Sequence, residues 1–425
     1  MRHQKMMMWV SIGGTALAIF LVMTYFMGEQ LKTPAVAPEL NRSRIVSGQN
    51  IHLLFTFPDM NSKEVSTSLD YDQTHFFYDN LDGVELMSFM SMWENSTEVG
   101  NSIEDAVVMS MKNTDENYWK MYDFTFIEGK PYGSTECESG EKVAVISRKV
   151  ARRLFGTEKS VGKDIKVNGI PYRITGVVKD VNPLLETAYS DIWLPLGPEE
   201  RAEKSGYGVG DGNIQVKLLL RPGTDVEALK KEVERRYTIY NKQHEGEYKA
   251  TYHGQPYTDI VVSNHDYGSN TTPDTHPGRT LNFIVYVILL ILPAINLSSM
   301  TGSRLKVRES ELGVRRAFGA SKASIVRQLL GENLIITLAG GAIGLICSVL
   351  FSYLLSGLFM EFGIDHESSL IESTVKPELG MLFSWEGFLL ALLFCFILNL
   401  ISAFVPAWKA ARIQPATAIA RNRNN

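Results

Sequence analysis

The chain has 425 residues, 45% of them hydrophobic, with a formal net charge of −5 and only three cysteines. That average would suit a soluble protein of two or three domains, yet the apolar and charged residues are segregated into long blocks, so each block is read against its own solvent. The acidic balance gives no reason to expect a nucleic-acid partner, and a lone Cys137 outside the apolar blocks excludes an internal disulfide there, because Cys347 and Cys395 both lie within them.

The first block, Met6 to Met27, carries no charge over 22 residues. A helix needs about 20 apolar residues to cross the hydrocarbon of a bilayer, so this block spans. Its length exceeds a signal-peptide core, and Pro34 and Pro38 around Ala35-Val36-Ala37 suit a cleavage site poorly, so it is read as a retained anchor. Gly28 to about Arg44 then reads as a Pro-spaced, weakly ordered stretch.

Beyond it the chain alternates strands and helices. Val143 to Ile146 is a short apolar strand; Ser147 caps a helix through Phe155, and Gly156 ends it in the left-handed conformation. Asp164 to Val167 and Tyr172 to Val178 alternate as strands, and Asn168-Gly169 between them is a strong hairpin signal. Ile214 to Leu220 is a further strand, Pro222-Gly223 a turn, and Asp225 starts a helix whose apolar face is Val226, Leu229, Val233, Tyr237 and Tyr240. The mixture predicts an α+β domain in two subdomains.

Three further uncharged blocks follow: Leu281 to Met300, Asn333 to Met360 and Gly387 to Trp408. Four spans in all predict an α-helical membrane protein with four transmembrane helices. Residues 301 to 331 hold seven basic residues against two acids, and Arg2, Lys5, Lys409, Arg412, Arg421 and Arg423 flank the outermost blocks. By the excess of Lys and Arg on cytoplasmic loops, both ends and 301–331 face the cytoplasm and the domain before the second block lies outside. The acidic loop between the last two blocks, with Glu361, Asp365, Glu367, Glu372, Glu378 and Glu386, fits that orientation. Within the third block Gly340, Gly344, Ser348, Ser352 and Ser356 recur every four residues, a stripe of small side chains that lets helix backbones approach in lipid.

No chemistry-bearing motif survives inspection. Gly156 and Gly162-Lys163 have the wrong spacing for a phosphate-binding loop, and Asp164 stands where Ser or Thr is needed. His244-Glu245 lacks the second His of a zinc-protease helix, since Tyr248 occupies its place, and His253, His265 and His276 read as surface histidines. No enzyme site, metal or cofactor is expected in this chain.

The informative cytoplasmic run is Glu311, Leu312, Gly313, Val314, Arg315, Arg316, Ala317, Phe318, Gly319 and Ala320. Positive charge alone would rest it on anionic lipid heads. Glu311 amid that charge, and Gly313 and Gly319 as sites of close backbone approach, favour docking into another protein.

This run resembles the cytoplasmic loop signature of MacB/FtsX-like ABC transporter permeases, and Pro406-Ala407-Trp408-Lys409-Ala410-Ala411-Arg412 resembles that family's ending of the last helix. Val143 to Val178, with Ser147, Ala151, Leu154-Phe155-Gly156, Val161-Gly162 and Gly176-Val177-Val178, is similar to a MacB-type periplasmic core domain, as are Asn117-Tyr118-Trp119 and Phe126 to Lys130. Ser147-Arg148 departs from the family's common Ser-Glu.

The resemblance implies residues 1–28 as cytoplasmic start and first span, 29–280 as the outer domain with porter-like and sabre-like subdomains, and 281–425 as the permease domain with a coupling segment at 304–324. It implies a bacterial inner-membrane location and a second permease chain, in a homodimer or heterodimer. A separate cytoplasmic ATPase would bind ATP and Mg, and the outer partner would be a periplasmic adaptor or outer-membrane channel. The expected role is mechanotransmission, driving efflux of a peptide, antibiotic-like or lipoprotein substrate. The alternative is FtsX-like control of an extracytoplasmic enzyme such as a cell-wall hydrolase.

Overall fold

The computed structural model describes residues 2–30, 36–55, 63–92, 95–102, 105–183, 185–202, 212–262, 280, 283–285, 287–289, 291, 314–315, 318–354, 388, 389, 392, 393, 396, 397, 404 and 408. The chain divides into two compact units, one of residues 1–31, 276–357 and 377–425 and the other of 32–275 and 358–376.

In the first unit α1 (Arg2–Gln30) packs along a long C-terminal helix. Ile19, Val22, Met23 and Met27 are buried there against Leu289, Leu345, Val349, Phe388 and Leu392. Both helices are long and apolar enough to cross a membrane. The C-terminal helix leaves Ile335, Ile346, Leu350 and Leu354 more than half exposed. An apolar row of that length is stable against lipid and costly against water. The blocks Leu281 to Met300 and Gly387 to Trp408 lie mostly outside the described residues.

The order of the second unit starts earlier than its sequence suggests. The stretch read as weakly ordered is pinned from Val36 onward, because Glu39 is 1% exposed, accepts the Ala188 amide at 2.8 Å and pairs with Arg42 at 3.3 Å. Proline spacing gives no sign of a carboxylate that finds its partner about 150 residues away.

The strands and helices run β1 (Ile45–Gly48), β2 (Asn50–Phe55), β3 (Lys63–Ser68), α2 (Tyr71–Tyr78), β4 (Val84–Ser91), β5 (Asn95–Gly100), β6 (Val107–Thr114), α3 (Tyr118–Met121), β7 (Phe126–Gly129), α4 (Ser134–Ser139), β8 (Val143–Ser147) and α5 (Arg148–Phe155). They continue as β9 (Asp164–Val167), β10 (Ile170–Val178), β11 (Ile192–Pro195), α6 (Pro198–Ala202), β12 (Ile214–Leu220), α7 (Val226–Gln243), β13 (Lys249–Thr251), β14 (Tyr257–Thr258) and α8 (Asp259–Val262). The long helix of the first unit is α9 (Lys322–Leu354).

Two of the hydrophobic cores among the described residues organise this unit. The first lies under the antiparallel sheet β4-β12-β1-β14. Val216, Leu218 and Leu220 of β12 meet Phe77 and Tyr78 of α2 and Leu229, Val233, Tyr237 and Tyr240 of α7. Asp225 caps α7 by accepting from the Glu227 and Ala228 amides.

The second core fills a barrel inserted between β4 and β12. Strand β6 pairs in parallel with β11, β11 with β8, β8 in parallel with β10, β10 with β9, β9 with β5, and β5 again with β6, which closes the ring. Closure leaves no sheet edge bare around that core. Val150, Ala151, Leu154 and Phe155 of α5 pack into it with Ile146, Ile165, Tyr172 and Ile174. Ser147 caps α5 and Gly156 ends it at φ +68°, while Asn168 and Gly169 turn the β9-β10 hairpin at φ +48° and +81°. Because β4 and β12 are antiparallel neighbours, their ends lie side by side and admit an inserted subdomain without distorting the sheet.

Candidate functional site

The run from Glu311 to Ala320 is described in part. Val314, Arg315, Phe318, Gly319 and Ala320 are placed; Glu311, Leu312, Gly313, Arg316 and Ala317 lie outside the described residues. The Phe318 amide donates to Val314 O at 3.1 Å and the Ala320 amide to Arg315 O at 3.1 Å, with Gly319 at φ +93°. This is the Schellman pattern that ends a helix. Ser321 Oγ then accepts from Ser324 N at 3.1 Å and starts α9, and Arg315 Nη1 donates to Gln328 Oε1 at 3.0 Å, tying the turn to the helix it feeds.

Within the chain, a Cβ at Gly319 would meet nothing within 4 Å, so the glycine is required by its positive φ and not by close approach. Phe318 is held on this turn with 89% of its surface exposed, beside Val314 at 43%. Phe318 is thus a large aromatic left bare next to a fixed helix start.

The small-residue stripe lies against α1. A Cβ at Gly340 would come 2.7 Å from Thr15 Cβ, and one at Gly344 would come 2.5 Å from Ala16 O and 3.0 Å from Ile19 Cβ. Ser348 and Ser352 are buried, Ser348 donating to Leu345 O at 2.8 Å. Ser356 lies outside the described residues. Gly341, which is off the four-residue spacing, is also closely packed, with Leu392 Cδ1 2.8 Å from where its Cβ would be.

Between the two outer subdomains sits Asp115, which follows β6 of the barrel and is 3% exposed. Its Oδ1 accepts from Ser88 Oγ of β4 at 2.6 Å and from the Tyr118 amide at 3.0 Å, while its own amide donates to Phe89 O at 3.0 Å. Burial pushes the carboxyl up to about 7; the hydrogen bonds from Ser88 and the backbone only partly oppose it, and nearby Glu116 adds to the rise. A carboxyl raised on folding contributes stability that is complete at low pH and is lost as pH climbs through about 7. The parent should therefore lose stability relative to Asp115→Asn as pH rises from about 4 to about 7, by up to about 1.4 kcal/mol per pH unit, and the difference should level off above that. Thermal melts of the full chain at several pH values check this; parallel curves for the two proteins would refute it.

Among the described residues no group of three metal-ligating side chains converges. His253 is buried, contrary to its reading as a surface histidine: the turn after β13 lays its ring edge-on against His52 at 4.4 Å. His265 and His276 lie outside the described residues. Burial, with Glu116 and Asp115 close by, pushes the Cys137 thiol up to about 12, which leaves it a small apolar side chain with no reactive thiolate.

The model of the MacB-like periplasmic core domain matches residues 6–236, and that of the FtsX-like permease C-terminal domain matches residues 283–415. The uncharacterized ABC transporter permease YknZ of Bacillus subtilis is 23% identical over 316 residues, covering 74% of this chain and 71% of that protein. The macrolide export ATP-binding/permease protein MacB of Pasteurella multocida is 25% identical over 316 residues, covering 73% of this chain but 43% of its own length. This chain thus spans less than half the length of the MacB protein it matches. Among solved structures, the periplasmic region of MacB from Actinobacillus actinomycetemcomitans superposes with a TM-score of 0.36 at 12% identity, over 53% of this chain and 95% of that one. With one family model covering more than half of the sequence and a second covering most of the remainder, the chain belongs to the MacB/FtsX-like ABC transporter permeases.

Proposed function

We propose that this permease transmits the work of a separate cytoplasmic ATPase to its outer domain, moving that domain instead of passing substrate through a channel. ATP and Mg would be held by the ATPase, and a second permease chain would complete the complex. The observation that carries the reading is the bare Phe318 on a fixed turn at the start of α9. Docked in a groove of an ATPase, that turn would pass displacement directly into a helix that crosses the membrane. The third block supports this, since from Asn333 onward it has no ionisable side chain of the kind that lines substrate or ion pathways. The outer cargo would be a peptide, an antibiotic-like molecule or a lipoprotein, received by a periplasmic adaptor or outer-membrane channel.

Glu311→Lys and Gly313→Leu test it. Glu311→Lys adds positive charge, so it should strengthen lipid adhesion while abolishing ATPase association, measured by copurification from membranes at equal expression. Both variants copurifying with the ATPase at parental levels would reduce the segment to a lipid-facing loop.

Orientation is tested separately. In a background lacking native cysteines, Ser139→Cys should react with an impermeant thiol reagent on intact spheroplasts and Ser310→Cys should not. Labelling at position 310 from outside would invert the topology.

A further inference from the structure

Resting on the reading above, we propose that Arg315 works inward: held by Gln328, it braces the elbow between the turn that bears Phe318 and α9, so that a push on the turn displaces the helix instead of bending the joint. Arg315 belongs to the basic run in which a charge would ordinarily be read as a contact for the ATPase or for lipid heads. It has a hydrogen-bond partner in its own chain, 13 residues on.

The joint is built to bend. Phe318 N to Val314 O and Ala320 N to Arg315 O, each at 3.1 Å, close the last turn before it, while Ile325 N to Ser321 O at 3.2 Å and the Ser321 cap open α9 beyond it. Between these two hydrogen-bonded segments stands Gly319 at φ +93°, and a Cβ there would meet nothing within 4 Å, so nothing packs on that side of the bend to stiffen it. Glycine has the widest choice of backbone angles of any residue. Unbraced, this joint would absorb a push at Phe318 as rotation about Gly319.

Gln328 supplies the brace. Its Oε1 accepts from Arg315 Nη1 at 3.0 Å, and its Nε2 donates to Glu332 Oε1 at 3.4 Å. An amide side chain can accept at one end and donate at the other, which neither a carboxylate nor an ammonium can do. Gln328 and Glu332 are four residues apart and so share one side of α9. Glu332 is also the last charged residue of α9, and the uncharged block begins with Asn333. The strut thus runs from the turn, along α9, to the point where the helix becomes wholly uncharged. Ile325 and Val326, on the stretch it grips, are 3% and 8% exposed, so that stretch is itself held by packing. Arg315 and Gln328 are the positioning residues of this device, and neither has to touch the ATPase.

The test uses the full chain with the ATPase that copurifies with it, in nanodiscs, with native cysteines replaced by alanine. Spin labels attached after Ser310→Cys, before the turn, and Leu334→Cys, an exposed position of α9, report the distance across the joint. The parent should give one narrow distribution, the same with and without ATP. Gln328→Leu should retain the ATPase, and its distribution should be at least twice as broad and should shift when ATP is added, because the joint then bends under load. Gln328→Arg should do the same by setting two guanidinium groups against each other. Adding Arg315→Gln to Gln328→Arg exchanges the two ends of the strut, keeps a donor beside Glu332, and should restore the narrow, ATP-independent distance.

A Gln328→Leu distribution that matches the parent in both conditions overturns the brace. So does a parent whose joint shifts with ATP as far as the variant's, because the elbow then bends with its brace in place. Loss of the ATPase from the exchanged pair at equal expression also overturns it, since Arg315 would then be a docking contact. The comparison without ATP needs no bound ATPase, so it judges the brace independently. Failure of the Proposed function shows differently, as normal ATPase copurification by Glu311→Lys.

Discussion

Asp191→Ala is expected to cost the α+β domain about 3–5 kcal/mol. Asp191 is fully buried, and its Oδ1 lies 2.5 Å from Lys149 Nζ, whose side chain is 9% exposed. Burial alone would push the Lys149 ammonium down. The charge of Asp191, with the hydrogen bonds the ammonium donates to it and to Tyr189, outweighs that and leaves the ammonium above its ordinary value. Asp191 Oδ2 also accepts the Ser110 amide at 3.2 Å, and its backbone bonds to Ser110 O and to Ser147 N. The residue thus sits where β11 bridges β6 and β8 and the barrel closes. Removing the carboxylate leaves a buried cation without its counter-charge, which is far costlier than never burying the pair. Pairing Asp191→Leu with Lys149→Met should recover most of the loss. Hydrogen exchange of β8 and β11 in the full chain reads both variants. Protection within about 1 kcal/mol of the parent in Asp191→Ala would show that the pair is not stabilising the closure.

Gly344→Leu is expected to separate α1 from α9. With Ala16 O 2.5 Å and Phe20 N 3.1 Å from where a Cβ would stand, the nearest obstacles are backbone atoms, which cannot rotate aside. Overpacking of this kind costs about 1–3 kcal/mol or more, and lipid supplies no hydrophobic force to hold the helices together against it. Phe20 and Phe351 meet edge-on with ring centroids 5.2 Å apart. A crosslink between Phe20→Cys and Phe351→Cys made with a short bifunctional thiol reagent, with native cysteines replaced, should form in the parent background. Its yield should fall severalfold once Gly344→Leu is added. An equal yield, with an unchanged detergent melt, would mean the stripe is incidental to packing.

What could be read directly from the chain is what neighbouring residues decide among themselves. The apolar blocks that became α1 and α9, the Ser147 and Asp225 caps, the left-handed Gly156 and the Asn168-Gly169 hairpin all depend on contacts within a few residues, so composition and spacing expose them. The apolar face of α7 was equally legible, because a helix that buries one side must repeat that side every three or four residues. Such local signals also carried the recognisable signature from Glu311 to Ala320.

Tertiary structure alone decided what joins distant segments. Parallel pairing of β6 with β11 closes the barrel across some 80 residues, and no sequence period records which strands will be neighbours. The same holds for Glu39 on Ala188, Lys149 on Asp191 and His253 on His52, where a polar residue in an ordinary surface pattern is buried only because another segment arrives to cover it. Gly319 shows the limit at short range: its spacing is compatible with either close approach or a left-handed turn, and only the backbone angle distinguishes them. The small stripe on α9 declared that a backbone would come near, but that the backbone is α1 follows from the packing of Gly340 on Thr15 and Gly344 on Ala16, since a lipid-embedded helix presents the same small face to any partner.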